Sequence, residues 1–123
     1  MSLVPGRLLE TRPDAPATID GQSSGIGQRT GGSTTELKVA GRYGIPTDAT
    51  SAVLNVTVTG TQGPGYVTVW PCGTTMPTAS NLNYTTGDTI PNLVIAKIGT
   101  NGNICLFTTT PTDLIADVNG YTT

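Results

Sequence analysis

The sequence has no histidine, few charges and few aromatic rings, and each shortage removes a class of function. Without histidine there is no His-dependent nucleophile and no imidazole metal site. Charged residues are 11% of the 123, against about a quarter in an average globular protein. Six Lys and Arg stand against eight Asp and Glu, for a net charge of -2. No cationic surplus exists to displace counterions from phosphates, which argues against a nucleic-acid partner. No apolar run approaches the roughly 18 residues needed to cross a bilayer, so membrane insertion is not expected. What the chain does have is 24 threonines, 16 glycines and 9 prolines. β-Branched residues suit pleated strands and lose rotamers in helices, while Gly and Pro punctuate turns, so the composition predicts an all-β protein.

Apolar residues recur with a period of two, and no stretch sustains a period of 3.6. Candidate strands begin with Arg7–Arg12, stopped by Pro13, and continue after a Gly/Ser-rich loop over residues 21–33 with Thr35–Val39. In Ala52–Thr59, Leu54, Val56 and Val58 share one face, and Asn55, Thr57 and Thr59 the other. Tyr66–Trp70 and Ser80–Tyr84 follow. Leu93–Ile98 is continuously apolar and reads as a central strand buried on both faces. Asn101-Gly102 reads as a two-residue hairpin turn into Ile104–Phe107, and Asp113–Val118 is the last strand before Asn119-Gly120. Eight or nine short, mainly antiparallel strands at this spacing predict a single β-sandwich, of jelly-roll or Ig-like type. Residues 4–123 are expected to form it, with 1–3 a scar from excision out of a longer precursor. The glycines of the long loop lack the strand context and the Gly-Lys-Ser/Thr of a phosphate cradle.

Cys72 and Cys105 are the only thiols. They read as one disulfide, with two buried free thiols as the alternative, and a disulfide implies an oxidising compartment. The expected location is therefore extracellular or at the cell surface, although no signal-peptide pattern opens the sequence. The sequons at Asn55 and Asn83 are expected as chance matches in so Thr-rich a chain.

Several motifs together carry a family resemblance. They are Arg7-Leu8-Leu9-Glu10-Thr11-Arg12-Pro13, Leu54-Asn55-Val56-Thr57, Gly65-Tyr66-Val67-Thr68-Val69-Trp70-Pro71-Cys72-Gly73, Ser80-Asn81-Leu82-Asn83 and Asp113–Tyr121. The chain resembles, over nearly its whole length, an accessory domain of secreted and cell-surface actinobacterial and related bacterial proteins. It departs from that pattern at Glu10, where the family usually has Asp, and at Thr122, where an aromatic often follows the Gly-Tyr pair. The resemblance implies an attachment or interaction module found beside peptidase, amidase and glycosidase modules, and it carries no catalytic residue.

The candidate site residues are correspondingly modest. Asp113 and Asp117 share a strand face with Cα atoms roughly 13 Å apart, too far for a glycosidase acid pair. Asp117-Val118-Asn119-Gly120 resembles a fragment of a calcium loop but lacks its remaining ligands, so a strand end and Asx-type turn are expected, with a shared calcium ion as the alternative. No metal, cofactor or catalytic residue is expected. Arg12 is expected to pair with Asp117 and tether the first strand to the last, with Glu10 as the alternative acceptor or both groups solvated. Tyr66 and Trp70 share a strand face and, with Asn81 and Asn83, would form a platform for sugar rings; the alternative is that Trp70 fills the core or covers an open end. The expected function is a non-catalytic extracellular accessory module binding cell-wall or other carbohydrate. A structural protein–protein or self-assembly module is the alternative, so the partner is a polysaccharide or a cell-surface protein, and a homo-oligomer is allowed.

Overall fold

The computed structural model describes all 123 residues. It contains eight strands: β1 (Ser2–Glu10), β2 (Ser33–Lys38), β3 (Ser51–Thr59), β4 (Gly65–Pro71), β5 (Leu82–Tyr84), β6 (Ile90–Lys97), β7 (Asn103–Thr108) and β8 (Asp113–Thr122). They form two four-stranded sheets, a front sheet ordered β1-β8-β3-β6 and a back sheet ordered β2-β7-β4-β5. Every strand pair is antiparallel. The pairings β1·β8, β2·β7, β3·β6 and β4·β5 are those of one long hairpin, and β3·β8 and β4·β7 roll it into a sandwich. That winding is the jelly roll, which resolves the open choice between jelly-roll and Ig-like architectures.

The period-two pattern places the core as expected for β3, whose Ala52, Leu54, Val56 and Val58 are fully buried. Facing them from the back sheet are Leu37, Val67, Val69, Ile104 and Leu106, and one cluster of 21 buried residues fills the interior. Tyr84 is buried too, and its hydroxyl hydrogen-bonds with Thr108 Oγ1 at 2.7 Å and donates to the Thr110 carbonyl at 3.0 Å. No polar atom of that ring is left unpaired, as burial demands.

Three expectations change. Strand β1 begins at Ser2, which pairs with Gly120, and buries Leu8, Leu9 and Glu10 consecutively. A register shift between Arg7 and Leu9 breaks the alternation, as a bulge does. Strand β6 is not central: it forms the free edge of the front sheet, with Val94 and Ala96 inward but Leu93 60% and Ile95 72% exposed. Pro91 lies within it and has no N–H for a second neighbour, so proline is compatible with this strand only at an edge. Asn101-Gly102 does turn with positive φ at both residues, 61° and 76°, but it carries the chain from one sheet to the other rather than closing a hairpin. Gly99 is required there, because a Cβ would sit 2.1 Å from the Cys72 carbonyl oxygen.

Alternation about β3 and β6 makes a direct test. Leu54→Ala should cost about 2–5 kcal/mol by transfer and cavity formation, whereas Ile95→Ala should stay within about 0.5 kcal/mol. Urea midpoints for the two variants measure the difference; equal losses would contradict the edge placement of β6.

Candidate functional site

The outer face of the back sheet carries Tyr66, Thr68 and Trp70 of β4 beside Cys105 and Phe107 of β7. Their side chains alternate with inward Val67 and Val69, as the sequence implied. The outward direction does not expose Trp70, however. The ring is only 8% exposed and packs with Phe107 and the Cys72–Cys105 disulfide. Its indole N–H donates to the Thr74 carbonyl at 3.2 Å, in the segment that follows the disulfide. The same segment is anchored by Thr68, whose hydroxyl donates to the Ala79 carbonyl at 2.6 Å. Trp70 is therefore the floor of a covered cluster and presents no platform to solvent.

The other expected platform residues divide. Asn81 spends its carboxamide oxygen on the Val69 N–H at 2.7 Å, continuing the edge of β4 as a strand would. Asn83 is exposed and stands opposite Tyr66 in the β4·β5 register. Tyr66 is 38% exposed, with its ring 6.4 Å from that of Phe107. A concavity of about 370 Å³ lies beside it, lined by Tyr66, Thr68, Met76, Pro77, Thr78, Ala79 and Ser80. Tyr66 and Asn83 are thus together, while Trp70 and Asn81 are committed to structure.

The charges assemble differently from expectation. Asp117 is paired with Arg7, its Cα partner in the β1·β8 register, with Nε donating at 2.8 Å. Arg12 instead binds Glu10, the alternative acceptor, through Nε at 2.9 Å and Nη2 at 2.9 Å. Arg7 also donates to Glu10 at 3.1 Å, so one fully buried carboxylate lies between two guanidinium groups. The bulge in β1 is the reason: it turns Leu8 and Leu9 both inward and brings Glu10, opposite Ile115, onto the outer face with Arg7, which stands beside Asp117. Burial acts to raise the Glu10 pKa, but the Arg12 side-chain and backbone hydrogen bonds and both positive charges outweigh it and hold the carboxyl below its ordinary value.

Three of the other acids, Asp113, Asp20 and Asp88, are also engaged. Asp113 accepts from Thr11 Oγ1 at 2.7 Å and from Gln28 at 3.3 Å. Asn119 and Gly120 continue β8 instead of forming a turn, so the calcium-loop fragment is a strand. Glu36 lies close to Cys72 and Cys105, but both sulfurs are consumed by the disulfide and offer no thiolate to a metal. Arg42, 3% exposed, donates from Nε and Nη2 to the Asp20 carboxylate at 2.8 and 2.7 Å. This pair holds the Asp20 pKa down to about 2.

Four strands border the sheets, and their treatment differs. The segment after Thr18 covers β1, with Glu10 N–H donating to the Ser23 carbonyl and Gly25 N–H to that of Glu10. Strand β2 displays Glu36 and Lys38 outward, and β5 is three residues long. Charge, brevity and cover are the usual protections of a sheet edge. Strand β6 spans eight residues and shows Leu93 and Ile95 beside Val53 and Asn55 of β3. These two side chains were missed in the sequence because a continuous apolar run looks like a buried strand; Pro91 was the available signal. Scans against family models, curated proteins and solved structures find no match to the chain.

Three measurements follow from these contacts. Intact mass without reductant should be two hydrogens below the reduced value, and reduction should destabilise by about 3–4 kcal/mol in the chain-entropy account; two alkylatable thiols in the native protein would contradict the bond. Glu10→Ala should cost about 3–5 kcal/mol, as removal of one member of a buried ionic cluster does, and more than Arg12→Ala, whose side chain is 41% exposed. For Asp20 the folded pKa of about 2 lies below the ordinary 3.8, so its stabilisation is whole above that ordinary value and is lost as pH falls through the folded one. Melting temperatures of Asp20→Asn should accordingly fall less steeply between those two pH values than those of the unaltered chain.

Proposed function

We propose that this chain is a non-catalytic interaction module of a secreted or cell-surface protein, and that it engages protein partners by accepting an extended segment along β6. The observation that carries the reading is the exposure of Leu93 and Ile95 on an uncovered edge strand. Such an edge offers main-chain donors and acceptors for affinity and alternate apolar side chains for selectivity. The disulfide suits an oxidising compartment, and the lack of histidine together with the engagement of Glu10, Asp113 and Asp117 in structural contacts favours binding over chemistry.

Polysaccharide binding is the second reading. The burial of Trp70 removes the larger ring from that site and shifts the balance to protein. The concavity beside Tyr66 keeps it in play, because one exposed ring with a neighbouring amide at Asn83 can hold a sugar.

A fluorescent eight-residue peptide of alternating Val and Thr, with an N-methylated control, tests the edge. The unaltered chain should raise its anisotropy, the control peptide should not respond, and Ile95→Lys should abolish binding. Retention on insoluble peptidoglycan that is lost in Tyr66→Ala but kept in Ile95→Lys would instead establish the polysaccharide reading.

A further inference from the structure

The register of β6 specifies more than an open edge. Ile98 N–H donates to the Thr50 carbonyl at 2.9 Å, extending the β3·β6 register in which Lys97 stands opposite Ser51. Antiparallel strands alternate the direction of their main-chain groups, so even-numbered residues of β6 face β3 and odd-numbered residues face away. The free groups are therefore those of Leu93, Ile95 and Lys97, with Pro91 contributing a carbonyl alone. The same odd residues point their side chains to the outer face of the front sheet.

Resting on the reading of β6 as an interaction edge, we infer that its partner is β6 of a second copy of this chain, antiparallel, with Val94 opposite Val94 across a two-fold axis. In that register Leu93 lies opposite Ile95 of the other copy, and Ile95 opposite Leu93, so both exposed apolar side chains are covered twice. Pro91 falls opposite Lys97 at the two ends of the ribbon, where its missing N–H costs least. About six inter-chain hydrogen bonds form, two for each Leu93–Ile95 pair and one at each Pro91 carbonyl. A shift that sets Leu93 against itself would place Pro91 opposite Ile95, within the ribbon, and leave an interior carbonyl unpaired.

Charge points the same way. The apolar segment is flanked by Asp88 at one end and Lys97 at the other. Antiparallel pairing brings Lys97 to the end of the partner strand preceded by its Asp88, roughly 10 Å further along, and keeps the two lysines roughly 20 Å apart. Parallel pairing would put like charges together. Closed two-fold pairing also leaves no β6 edge open to propagate, as an isologous interface requires.

Light scattering of the purified chain at high micromolar concentration tests the inference. The unaltered chain should give twice the 12.6 kDa chain mass, and Ile95→Lys should give the single mass with an unchanged far-UV spectrum. Leu93→Cys chains mixed with Ile95→Cys chains should oxidise to a linked pair, and neither variant should do so alone. A dimer that survives Ile95→Lys, or Leu93→Cys linking to itself, would overturn the inference. So would a single-mass unaltered chain, and the alternating peptide then separates the two ideas: binding would preserve the edge and remove the second copy, and no binding would remove both.

Discussion

The pairing of the first strand with the last is the constraint from which the rest of this jelly roll hangs. Strand β8 lies between β1 and β3, so it is the central seam of the front sheet and joins the two ends of the chain. The Arg7–Asp117 pair fixes the register on the outer face. Thr11 Oγ1 fixes it at the turn, donating to Asp113 and accepting the Leu114 N–H at 2.9 Å. Glu10 accepts from both Arg7 and Arg12. A buried carboxylate is costly unless its oxygens are filled, and here both accept from guanidinium groups. The Arg7–Asp117 and Thr11 contacts join residues more than a hundred positions apart, and a long-range seam of this kind gains little until most of the chain is in place.

Much of this architecture is legible in the residues, for a physical reason. Where one sheet face meets the core and the other meets water, side-chain polarity must alternate, and Leu54–Thr59 does so without interruption. The alternation fails at two places, where the structure departs from the pattern's premises. At Leu8-Leu9-Glu10 the bulge inserts a residue, so Leu8 and Leu9 both turn inward and Glu10 joins Arg7 on the outer face, where it takes Arg12 while Arg7 takes Asp117. At Leu93–Ile98 the apolar residues that should mark a doubly buried strand lie at an edge. Polarity alone cannot distinguish a face covered by the same chain from one available to another. Proline can, because its missing N–H does not depend on what surrounds it.

The outer face of the back sheet shows a different limit. Parity correctly assigned Tyr66 and Trp70 to the same face, yet one is exposed and the other buried. The difference comes from the segment after Cys72, whose path depends on the disulfide and on single hydrogen bonds from Trp70 and Thr68. A strand pattern says which way a side chain points; it carries no information about a loop laid over it. Cysteine and tryptophan so close together in sequence, at Trp70-Pro71-Cys72, were a sign of a local cluster rather than of an open platform.

Economy of charge connects these features. The few charged residues are used sparingly: Arg7, Arg12, Glu10 and Asp117 pair on the seam, and Arg42 of the β2–β3 connection pairs with Asp20 of the loop that follows β1. Of the others, only Glu36, Lys38 and Lys97 lie on border strands. Strand β2 takes Glu36 and Lys38, while the loop held by Arg42 and Asp20 lies over the edge of β1. On β6 the guard is reduced to Lys97 and Pro91 at its two ends, with Leu93 and Ile95 uncovered between them. Lys97 and Pro91 at the ends limit the registers in which another strand can add. Leu93 and Ile95 in the middle reward the few that remain. An edge arranged this way is selective rather than merely unprotected, and that selectivity separates an interaction strand from an aggregation hazard.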